Sequence, residues 1–336
     1  MQWNGESGGD RYVVTGAAGH LGGAIVRSLL DAGREVRGLI LPGEAGPAVG
    51  PGISYFPGDV REAKSLEGLF EGWEGAGVTV IHTAALISIS RKVPQALYEV
   101  NVGGTRNILR LCREHGARRL VHVSSVHAIP ELPQGQVMRE VDAFSPEAVF
   151  GGYARTKAEA AQAVLDAARE GLNAVIVLPS GIIGPYDRGR NHLVQLFAGY
   201  LDGSLHACVE GGYDLVDVRD VAGGCLLAAE RGRSGESYLL GGHYARIPEL
   251  LAMAGKVSGK GALPVMPLWL ARAAVPAIGG WAALRGRRPF YTGYSLRTLT
   301  GNGLFSSEKA RRELGYAPWE LEETVRDMVM WLQRAE

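Results

Sequence analysis

A glycine-rich turn near the start of the chain, between an apolar run and an amphipathic stretch, constrains the fold more than any other feature. Arg11 to Thr15 has the pattern of a short buried strand, and the turn continues as Gly16-Ala17-Ala18-Gly19-His20-Leu21-Gly22. Beyond it, apolar residues recur at the spacing of one helix face, at Ile25, Val26, Leu29 and Leu30. A strand, a glycine turn and a helix in this order are typical of the first βαβ unit of a dinucleotide-binding sheet.

The three glycines have separate roles in such a turn. Gly16 permits the sharp bend, Gly19 allows a pyrophosphate to approach the backbone, and Gly22 allows the helix and the strand to pack closely. The N-terminus of the helix then presents free N–H groups and a favourable dipole to the phosphates. The turn therefore predicts a dinucleotide site, the alternative being an ordinary glycine-rich turn.

The glycine spacing is Gly-x-x-Gly-x-x-Gly, and the turn with its flanking elements resembles the short-chain dehydrogenase/reductase superfamily. The resemblance implies an α/β fold, with a Rossmann-type doubly wound parallel sheet and a smaller, mostly helical C-terminal substrate lobe. With the pattern of elements along the chain, it predicts a flexible tail at 1–9 and a dinucleotide-binding domain at 10–180. Residues 216–242 are expected to return to that domain, and 181–215 with 243–336 to form the substrate lobe.

The composition favours the same class. Gly accounts for 48 of 336 residues, about twice its average usage, as expected for many tight strand-to-helix connections. Lys plus Arg and Asp plus Glu both number 35, so the charge gives no reason to expect nucleic acid or an acidic membrane as a partner. Cys112, Cys208 and Cys225 form no CxxC pair, so we expect no metal site, no disulfide framework and a cytoplasmic location.

Tyr153 and Lys157 are four residues apart and would stand on one face of a predicted helix, where the ammonium can bias the phenol toward ionisation. Alone, this spacing is also common on solvated helix faces. Ser124 and Ser125 end a predicted strand, and the carboxyl ends of such strands face the cofactor crevice. By the resemblance, Ser125, Tyr153 and Lys157 are the catalytic residues, Ser124 supports them, and His127 is a pocket wall.

Further motifs resemble the extended branch of the superfamily, namely His82-Thr83-Ala84-Ala85, Asn101-Val102-Gly103-Gly104-Thr105 and the turn from Pro179 to Pro185. Sugar-nucleotide epimerases tend to have an arginine and an asparagine where this chain has Leu178 and Gly181. That departure favours the branch that resembles dihydroflavonol reductases and 3β-hydroxysteroid dehydrogenases. Ser125, His127 and Gly181 are then expected to line the substrate pocket.

The resemblance also implies a set of cofactor contacts. In order along the chain they are Gly16, Ala18, Gly19, His20, Leu21, Gly22, Asp59, Val60, Thr83, Ala84, Ala85, Asn101, Ser124, Tyr153, Lys157, Pro179 and Ile182. The choice between NADP and NAD stays open, because Leu39, Ile40 and Leu41 end the second strand where an acid or an arginine would decide it. Glu44, a few residues beyond the strand, either takes the place of the acid that binds the ribose 2′-hydroxyl or is an ordinary loop carboxylate.

Local patterns also predict helices and their caps. Pro94 to His115 has the pattern of one helix, and Arg61 to Phe70 that of another. Asp59 precedes the second of these and is a candidate cap, as is Asp220 for a later helix.

The apolar stretch 262–284 contains three prolines and an arginine, so a bent helix pair over a pocket is expected rather than a membrane span. Arg285, Arg287 and Arg288 leave a membrane-surface role as the alternative.

These observations predict an NAD(P)-dependent oxidoreductase that transfers hydride between nicotinamide and a carbonyl or alcohol substrate, with Ser125, Tyr153 and Lys157 as acid–base machinery. The substrate is a small molecule, with a bulky and apolar one as an option in this branch, and a homodimer is expected. A nucleotide-sugar epimerase or dehydratase is the main alternative, with Arg188, Arg190, Arg219 and Arg246 as candidate diphosphate ligands. A non-catalytic dinucleotide-sensing protein is a further alternative.

Overall fold

The computed structural model describes residues 11–47, 49–73, 77–88, 93–187, 191–275, 291 and 293–334. The expected tail at 1–9, the end of the apolar stretch at 276–284 and the arginines at 285–288 lie outside the described residues. The strands are β1 (Arg11–Thr15), β2 (Glu35–Ile40), β3 (Ile53–Pro57), β4 (Thr79–His82), β5 (Arg119–Val123), β6 (Ala174–Pro179), β7 (Gly181–Ile183), β8 (Cys208–Val209), β9 (Gly212–Asp217), β10 (Ser237–Leu240), β11 (His243–Arg246) and β12 (Val265–Met266).

Helices connect most of these strands. They are α1 (His20–Asp31), α2 (Gln95–Tyr98), α3 (Gly104–Glu114), α4 (Gly152–Arg169), α5 (His192–Asp202), α6 (Val218–Arg231), α7 (Ile247–Ser258), α8 (Gly293–Leu299), α9 (Glu308–Leu314) and α10 (Leu321–Arg334). Short 3₁₀ helices occur at Ala63–Leu69, Val126–Ala128 and Pro146–Ala148. No described helix combines the length and the apolar composition that a membrane-spanning helix needs.

Seven parallel strands form the central sheet in the order β10-β6-β5-β4-β1-β2-β3. The order reverses between β1 and β4, and in a sheet of this kind ligands bind at the carboxyl ends of the strands beside that reversal. The doubly wound α/β class predicted from the sequence is confirmed. The sheet therefore places the glycine turn after β1 next to the motifs after β4 and β5.

The central sheet is covered on both faces, which explains why its strands are near-continuous apolar runs. Alternate residues of β1 enter different cores: Tyr12 and Val14 belong to the one that contains α1 and α6, and Val13 to the one that contains α3 and α4. Burial on both sides makes the sheet a rigid frame for the residues at its carboxyl edge.

A third core lies within the smaller lobe. It joins α5, α7 and α10 through Phe197, Leu250 and Val325, against a three-stranded sheet in the order β11-β9-β7. β10 pairs in parallel with β6, so the chain re-enters the central sheet after β9 and α6. Cys112, Cys208 and Cys225 are all buried and free.

Three local predictions needed correction. The segment predicted as one helix from Pro94 to His115 contains a π turn at Glu99–Gly103 between α2 and α3. The stretch predicted from Arg61 to Phe70 is the 3₁₀ helix Ala63–Leu69, so Asp59 does not cap an α-helix. Asp220 does not cap α6 either, because Asp217 Oδ1 accepts the Arg219 N–H at 2.7 Å and Asp220 lies within the first turn.

Candidate functional site

A cavity of about 1200 Å³ opens at the carboxyl ends of β1, β4, β5 and β6. It is larger than the roughly 300–1,000 Å³ of a typical small-molecule pocket, so it has room for a cofactor and a substrate. Every residue predicted as a cofactor contact or for the oxidoreductase's substrate pocket lines this cavity except Asn101. The predicted catalytic set and the predicted dinucleotide site therefore share one space.

The glycine turn has the close backbone packing that a dinucleotide requires. Gly16 has φ +68°, and a Cβ there would lie 3.0 Å from the backbone of Ala84. A Cβ at Gly22 would lie 2.1 Å from the Gly16 carbonyl oxygen, so only glycine fits between α1 and the turn. Gly19 is the N-cap of α1 and provides no side-chain cap. The first N–H groups of α1 thus face the cavity, where they fit a pyrophosphate.

His20 connects the glycine turn to the chain that leaves β7. Its Nε2 donates to the Pro185 carbonyl oxygen at 3.0 Å, and Nδ1 lies 3.9 Å from Asp187 Oδ2. Burial lowers the pKa of His20, and the Asp187 carboxylate opposes that change. This hydrogen bond ties the glycine turn, at the predicted phosphate end of the cavity, to the start of the smaller lobe.

Acidic and basic groups meet at the predicted adenosine end. Asp59 accepts hydrogen bonds from the Arg61 guanidinium at 2.6–3.1 Å and from the Arg61 backbone N–H at 2.9 Å. These bonds lower the pKa of Asp59. Glu44 Oε2 accepts the Leu41 backbone N–H at 3.2 Å, directly after β2. Glu44 and Arg61 both line the cavity, but the charge of Arg61 is matched by Asp59 whereas Glu44 is held by a neutral amide.

Ser125 and Tyr153 form the centre of the candidate catalytic site. Ser125 caps the 3₁₀ turn Val126–Ala128, with its Oγ accepting the His127 N–H at 3.2 Å. Tyr153 lies in the first turn of α4 and lines the same cavity. Burial raises the pKa of Tyr153 to about 12, and the nearby Ser125 hydroxyl opposes that rise. Burial is the largest influence on this pKa and acts against the lowering by Lys157 that the sequence suggested.

Lys157 is buried one helical turn beyond Tyr153. Its Nζ donates to the Val123 carbonyl oxygen at 2.6 Å, and its side chain lines the cavity. Burial lowers the pKa of Lys157 to about 7. Ser124 is placed beside it, with Oγ 3.4 Å from the Lys157 carbonyl oxygen. The lysine is therefore held on the edge of β5 and can change protonation state near neutral pH.

Asn101 lies behind the cavity wall in the π turn. Its side chain accepts the Leu86 N–H at 2.8 Å and donates to the Leu86 carbonyl at 3.0 Å and to Thr156 Oγ1 at 3.0 Å. A π turn adds one residue to the helix and often occurs at functional sites. It turns Asn101 toward α4, so this residue positions the helix beside Lys157 instead of contacting a ligand.

His82 has a structural role between β1 and α3. Its ring nitrogens lie 2.7 Å from Thr15 Oγ1 and 3.2 Å from Thr105 Oγ1, deep between β1 and α3. Complete burial lowers its pKa to about 3. Among the residues with described placement, no cluster of His, Cys, Asp or Glu suits a metal ion.

The substrate end contains residues that the sequence did not predict. Tyr213, Tyr294, Arg297 and Asn302 line it from β9 and from the region of α8, far along the chain from Tyr153. His127, which was predicted here, presents its ring edge-on to Tyr153 with centroids 6.3 Å apart. No local pattern identifies the four missed residues, because only the folding of the smaller lobe brings them to the cavity.

Two of the four candidate diphosphate ligands form ion pairs outside the cavity. Arg219 pairs with Asp217 at 2.7 Å and with Asp327 at 2.8 Å, and Arg246 pairs with Glu249 at 3.0 Å. Neither arginine lines the cavity. The other two, at 188 and 190, lie outside the described residues.

Comparisons with known proteins agree with this geometry. The family model described as "NAD dependent epimerase/dehydratase family" matches residues 12–241. Sterol demethylase protein B of Methylococcus capsulatus is 34% identical over 333 residues, which cover 96% of this chain and 98% of that protein. A putative dihydroflavonol 4-reductase of Synechocystis is 33% identical, covering 96% and 95%, and human 3 beta-hydroxysteroid dehydrogenase type 7 is 31% identical, covering 96% of each.

Solved structures show the same similarity in three dimensions. The crystal structure of gox2253 has 30% identity and a TM-score of 0.81, covering 97% of this chain and 98% of that one. UDP-glucose 4-epimerase of Thermus thermophilus, solved in complex with NAD, has 26% identity and a TM-score of 0.75, covering 97% of this chain and 100% of that one. The similarity therefore extends over both the central sheet and the smaller lobe.

Proposed function

Because the chain belongs to the NAD-dependent epimerase/dehydratase family of extended short-chain dehydrogenases/reductases, we propose that it interconverts a carbonyl and an alcohol by hydride transfer. Curated relatives are named reductases and dehydrogenases, and the chain is an NAD(P)-dependent oxidoreductase of this type. The observation that carries the proposal is that Ser125, Tyr153 and Lys157 line one cavity together with the glycine turn.

Each residue of the set has a chemical role in this proposal. In reduction, the neutral phenol of Tyr153 donates its proton to the substrate oxygen, and in oxidation the phenolate accepts it. Ser125 donates a hydrogen bond to the same oxygen as charge develops on it. Lys157, when protonated, stabilises the phenolate by charge. A bound nicotinamide dinucleotide supplies or accepts the hydride.

We further propose NAD as the preferred cofactor. The Glu44 carboxylate lies at the tip of β2, where the ribose 2′ position is read in this fold. A carboxylate there accepts a ribose hydroxyl and repels a 2′-phosphate. Arg61 is the described cation on the same part of the wall, and its guanidinium is already bound by Asp59.

The mouth of the cavity favours a bulky apolar substrate. Leu86, Ile87 and Leu132 line the cavity and remain exposed, Ile87 to 73%. Exposed apolar side chains that cluster at an opening are typical of ligand-binding grooves. These lining residues thus support a hydrophobic alcohol or ketone as the reacting molecule.

A sugar-nucleotide substrate has less support. A Cβ at Gly181 would lie 3.0 Å from the Asp214 carbonyl oxygen and 3.1 Å from Leu193 and Leu215. An asparagine at this position would therefore need its neighbours to move. With Arg219 and Arg246 paired elsewhere, the described part of the wall also lacks the expected diphosphate ligands.

A turnover screen tests the proposal. The purified protein is incubated with NADH or NADPH and a panel of aliphatic, aromatic and polycyclic ketones, and cofactor oxidation is followed. We expect turnover of apolar ketones, faster with NADH. Turnover of UDP-glucose without net cofactor oxidation would support the epimerase alternative. Cofactor binding with no turnover of any carbonyl, alcohol or sugar nucleotide would support a sensing protein.

The homodimer and the cytoplasmic location remain proposals. For the dimer, the faces of α3 and α4 are the expected contact, since this family commonly pairs the two helices with a second subunit. Tyr98 and Arg106 extend from that region to Glu159 of α4 at 2.7 and 3.0 Å. Light scattering on purified protein tests the assembly, and a monomer at micromolar concentration would contradict it.

A further inference from the structure

We propose that the substrate carries an anionic group, a carboxylate, which binds the Arg297 guanidinium while its hydroxyl or ketone lies at Tyr153. This inference rests on the proposed oxidoreductase function and names the substrate class for it. The substrate is then an apolar molecule with one acidic end. Three features carry the inference: the position of Arg297, its partners and the other charges of the cavity.

Arg297 belongs to the same wall as the catalytic tyrosine. It extends from α8 and lines the cavity, with its Cζ 3.6 Å from the centre of the Phe150 ring. Phe150 precedes Tyr153 by three residues, so the two Cα atoms are within about 11 Å of each other. Phe150 in turn stacks on Tyr294, with ring centroids 6.3 Å apart. An anion at Arg297 and an oxygen at Tyr153 can therefore belong to one small molecule.

The stacking arranges the guanidinium for an anion. A guanidinium above an aromatic face keeps its N–H groups in its own plane, where they can donate two parallel bonds to a carboxylate. In the part of the chain that the structure describes, no carboxylate forms an ion pair with Arg297. Glu131, which shares this end of the cavity, instead accepts the Asn302 N–H at 2.9 Å.

The other cations of the described cavity wall already have roles. Arg61 is bound by Asp59 at the adenosine end, and Lys157 donates to Val123 beside the reacting centre. Arg297 is exposed, and the apolar residues Leu132 and Phe150 share its part of the wall. One guanidinium beside apolar side chains matches a single carboxylate on a hydrophobic body better than it matches a diphosphate.

The first experiment measures binding without chemistry. The NAD-loaded Tyr153→Phe protein is heated with decanoate, 1-decanol or decyl phosphate, with and without Arg297→Gln. We expect decanoate to raise Tm more than decanol, and Arg297→Gln to remove that difference. Arg155→Gln, at an exposed arginine of α4 off the cavity wall, serves as the control. In this variant decanoate should still raise Tm more than decanol does. Equal shifts for decanoate and decanol, or a response to decyl phosphate alone, would overturn the carboxylate assignment.

The second experiment measures specificity during turnover. The substrates are 3-, 5-, 7- and 9-oxodecanoate and their methyl esters, so the series also measures the span between Tyr153 and Arg297. For the best acid, Arg297→Gln should raise KM about 10- to 100-fold, as for a lost charge-assisted pair. The kcat for the acid and the KM for its methyl ester should change little. Arg297→Lys should recover part of the loss. An equal change for acid and ester would overturn the inference, whereas no turnover of either, with acid-specific binding intact, would count against the proposed function alone.

Discussion

Lys157 Nζ lies 2.6 Å from the carbonyl oxygen of Val123, the last residue of β5. The bond ties the catalytic face of α4 to the carboxyl edge of the central sheet. Burial of the ammonium lowers its pKa to about 7 from an ordinary 10.5. Burying the Lys157 ammonium therefore lowers the stability of the fold at the pH values where a free lysine would be charged. Costly burial of a titratable group is typical of functional sites.

That cost predicts how stability depends on pH. Between pH 7 and 10.5 the unfolded chain binds a proton at Lys157 that the folded chain does not, so stability rises with pH in that window. Lys157→Met removes the titration. The free energy of unfolding of the wild type should therefore increase relative to that of Lys157→Met by about 1 kcal/mol per pH unit, measured by urea denaturation at pH 7, 8 and 9.

An exposed lysine provides the control for that experiment. Lys256 on α7 is exposed, so Lys256→Met should leave the pH dependence parallel to that of the wild type. If wild type and Lys157→Met also give parallel curves, burial does not neutralise Lys157. A wild type that loses stability relative to Lys157→Met as pH rises would show that the fold favours the charged form.

Neighbouring glycines in α1 should respond in opposite ways to alanine. A Cβ at Gly22 would lie 2.1 Å from the Gly16 carbonyl, whereas one at Gly23 would lie 3.4 Å from Pro47 Cγ. Gly22→Ala should weaken NAD binding at least tenfold or unfold the protein, because the turn must move. Gly23→Ala should keep the affinity and gain up to about 1 kcal/mol from helix propensity. Equal NAD affinity of the two variants by fluorescence titration would contradict the proposed phosphate cradle.

Ser125 should affect both the rate and its pH dependence. The Ser125 hydroxyl lowers the pKa of Tyr153 against the effect of burial, so Ser125→Ala should raise that pKa. Alcohol oxidation needs the phenolate, and its pH–rate profile should then shift to higher pH, with a loss of about 10- to 1,000-fold at pH 8. Ser258→Ala, which loses a 2.8 Å contact with the Ala254 carbonyl in α7, off the cavity wall, is the control. An unshifted profile for Ser125→Ala would argue against the assigned role.

Glu44 should govern the choice of cofactor. Glu44→Gln removes the charge at the tip of β2, so the ratio of NADP affinity to NAD affinity should rise about tenfold, equivalent to about 1.4 kcal/mol. Glu67→Gln, at an exposed residue off the cavity wall, should not change the ratio. The measurement is Kd for each cofactor by fluorescence. A wild type that prefers NADP, or an unchanged ratio in Glu44→Gln, would refute the assignment.

The sequence predicted the central sheet well because its information is local. Strands β1, β4, β5, β6 and β10 are largely apolar and almost fully buried, and the turn after β1 contains the glycines that close packing requires. Caps were harder to predict, since Asp217 and Asp220 both suit a helix start and only the end of β9 decides between them. The π turn around Asn101 depends on contacts with Leu86 and Thr156, which no local pattern contains.

The sequence predicted the glycine turn and the candidate catalytic residues that line the cavity, but not the residues that the smaller lobe adds to it. Ser125, Tyr153 and Lys157 belong to motifs with fixed spacing along the central sheet, and all three line the cavity. Tyr294 and Arg297 reach it through the packing of the smaller lobe. The sequence also suggested that Lys157 lowers the pKa of Tyr153, whereas burial raises it to about 12, because desolvation depends on the complete fold.

Tyr153→Phe tests the central claim most directly, since it removes one hydroxyl and keeps the ring that packs against His127. The steady-state rate of NADH oxidation with the best ketone of the screen is compared with that of the wild type, and the Kd for NAD is measured on the same samples. We predict a loss in kcat of about a hundredfold or more with an unchanged Kd. Equal rates for variant and wild type would contradict the assignment of Tyr153 as the proton donor.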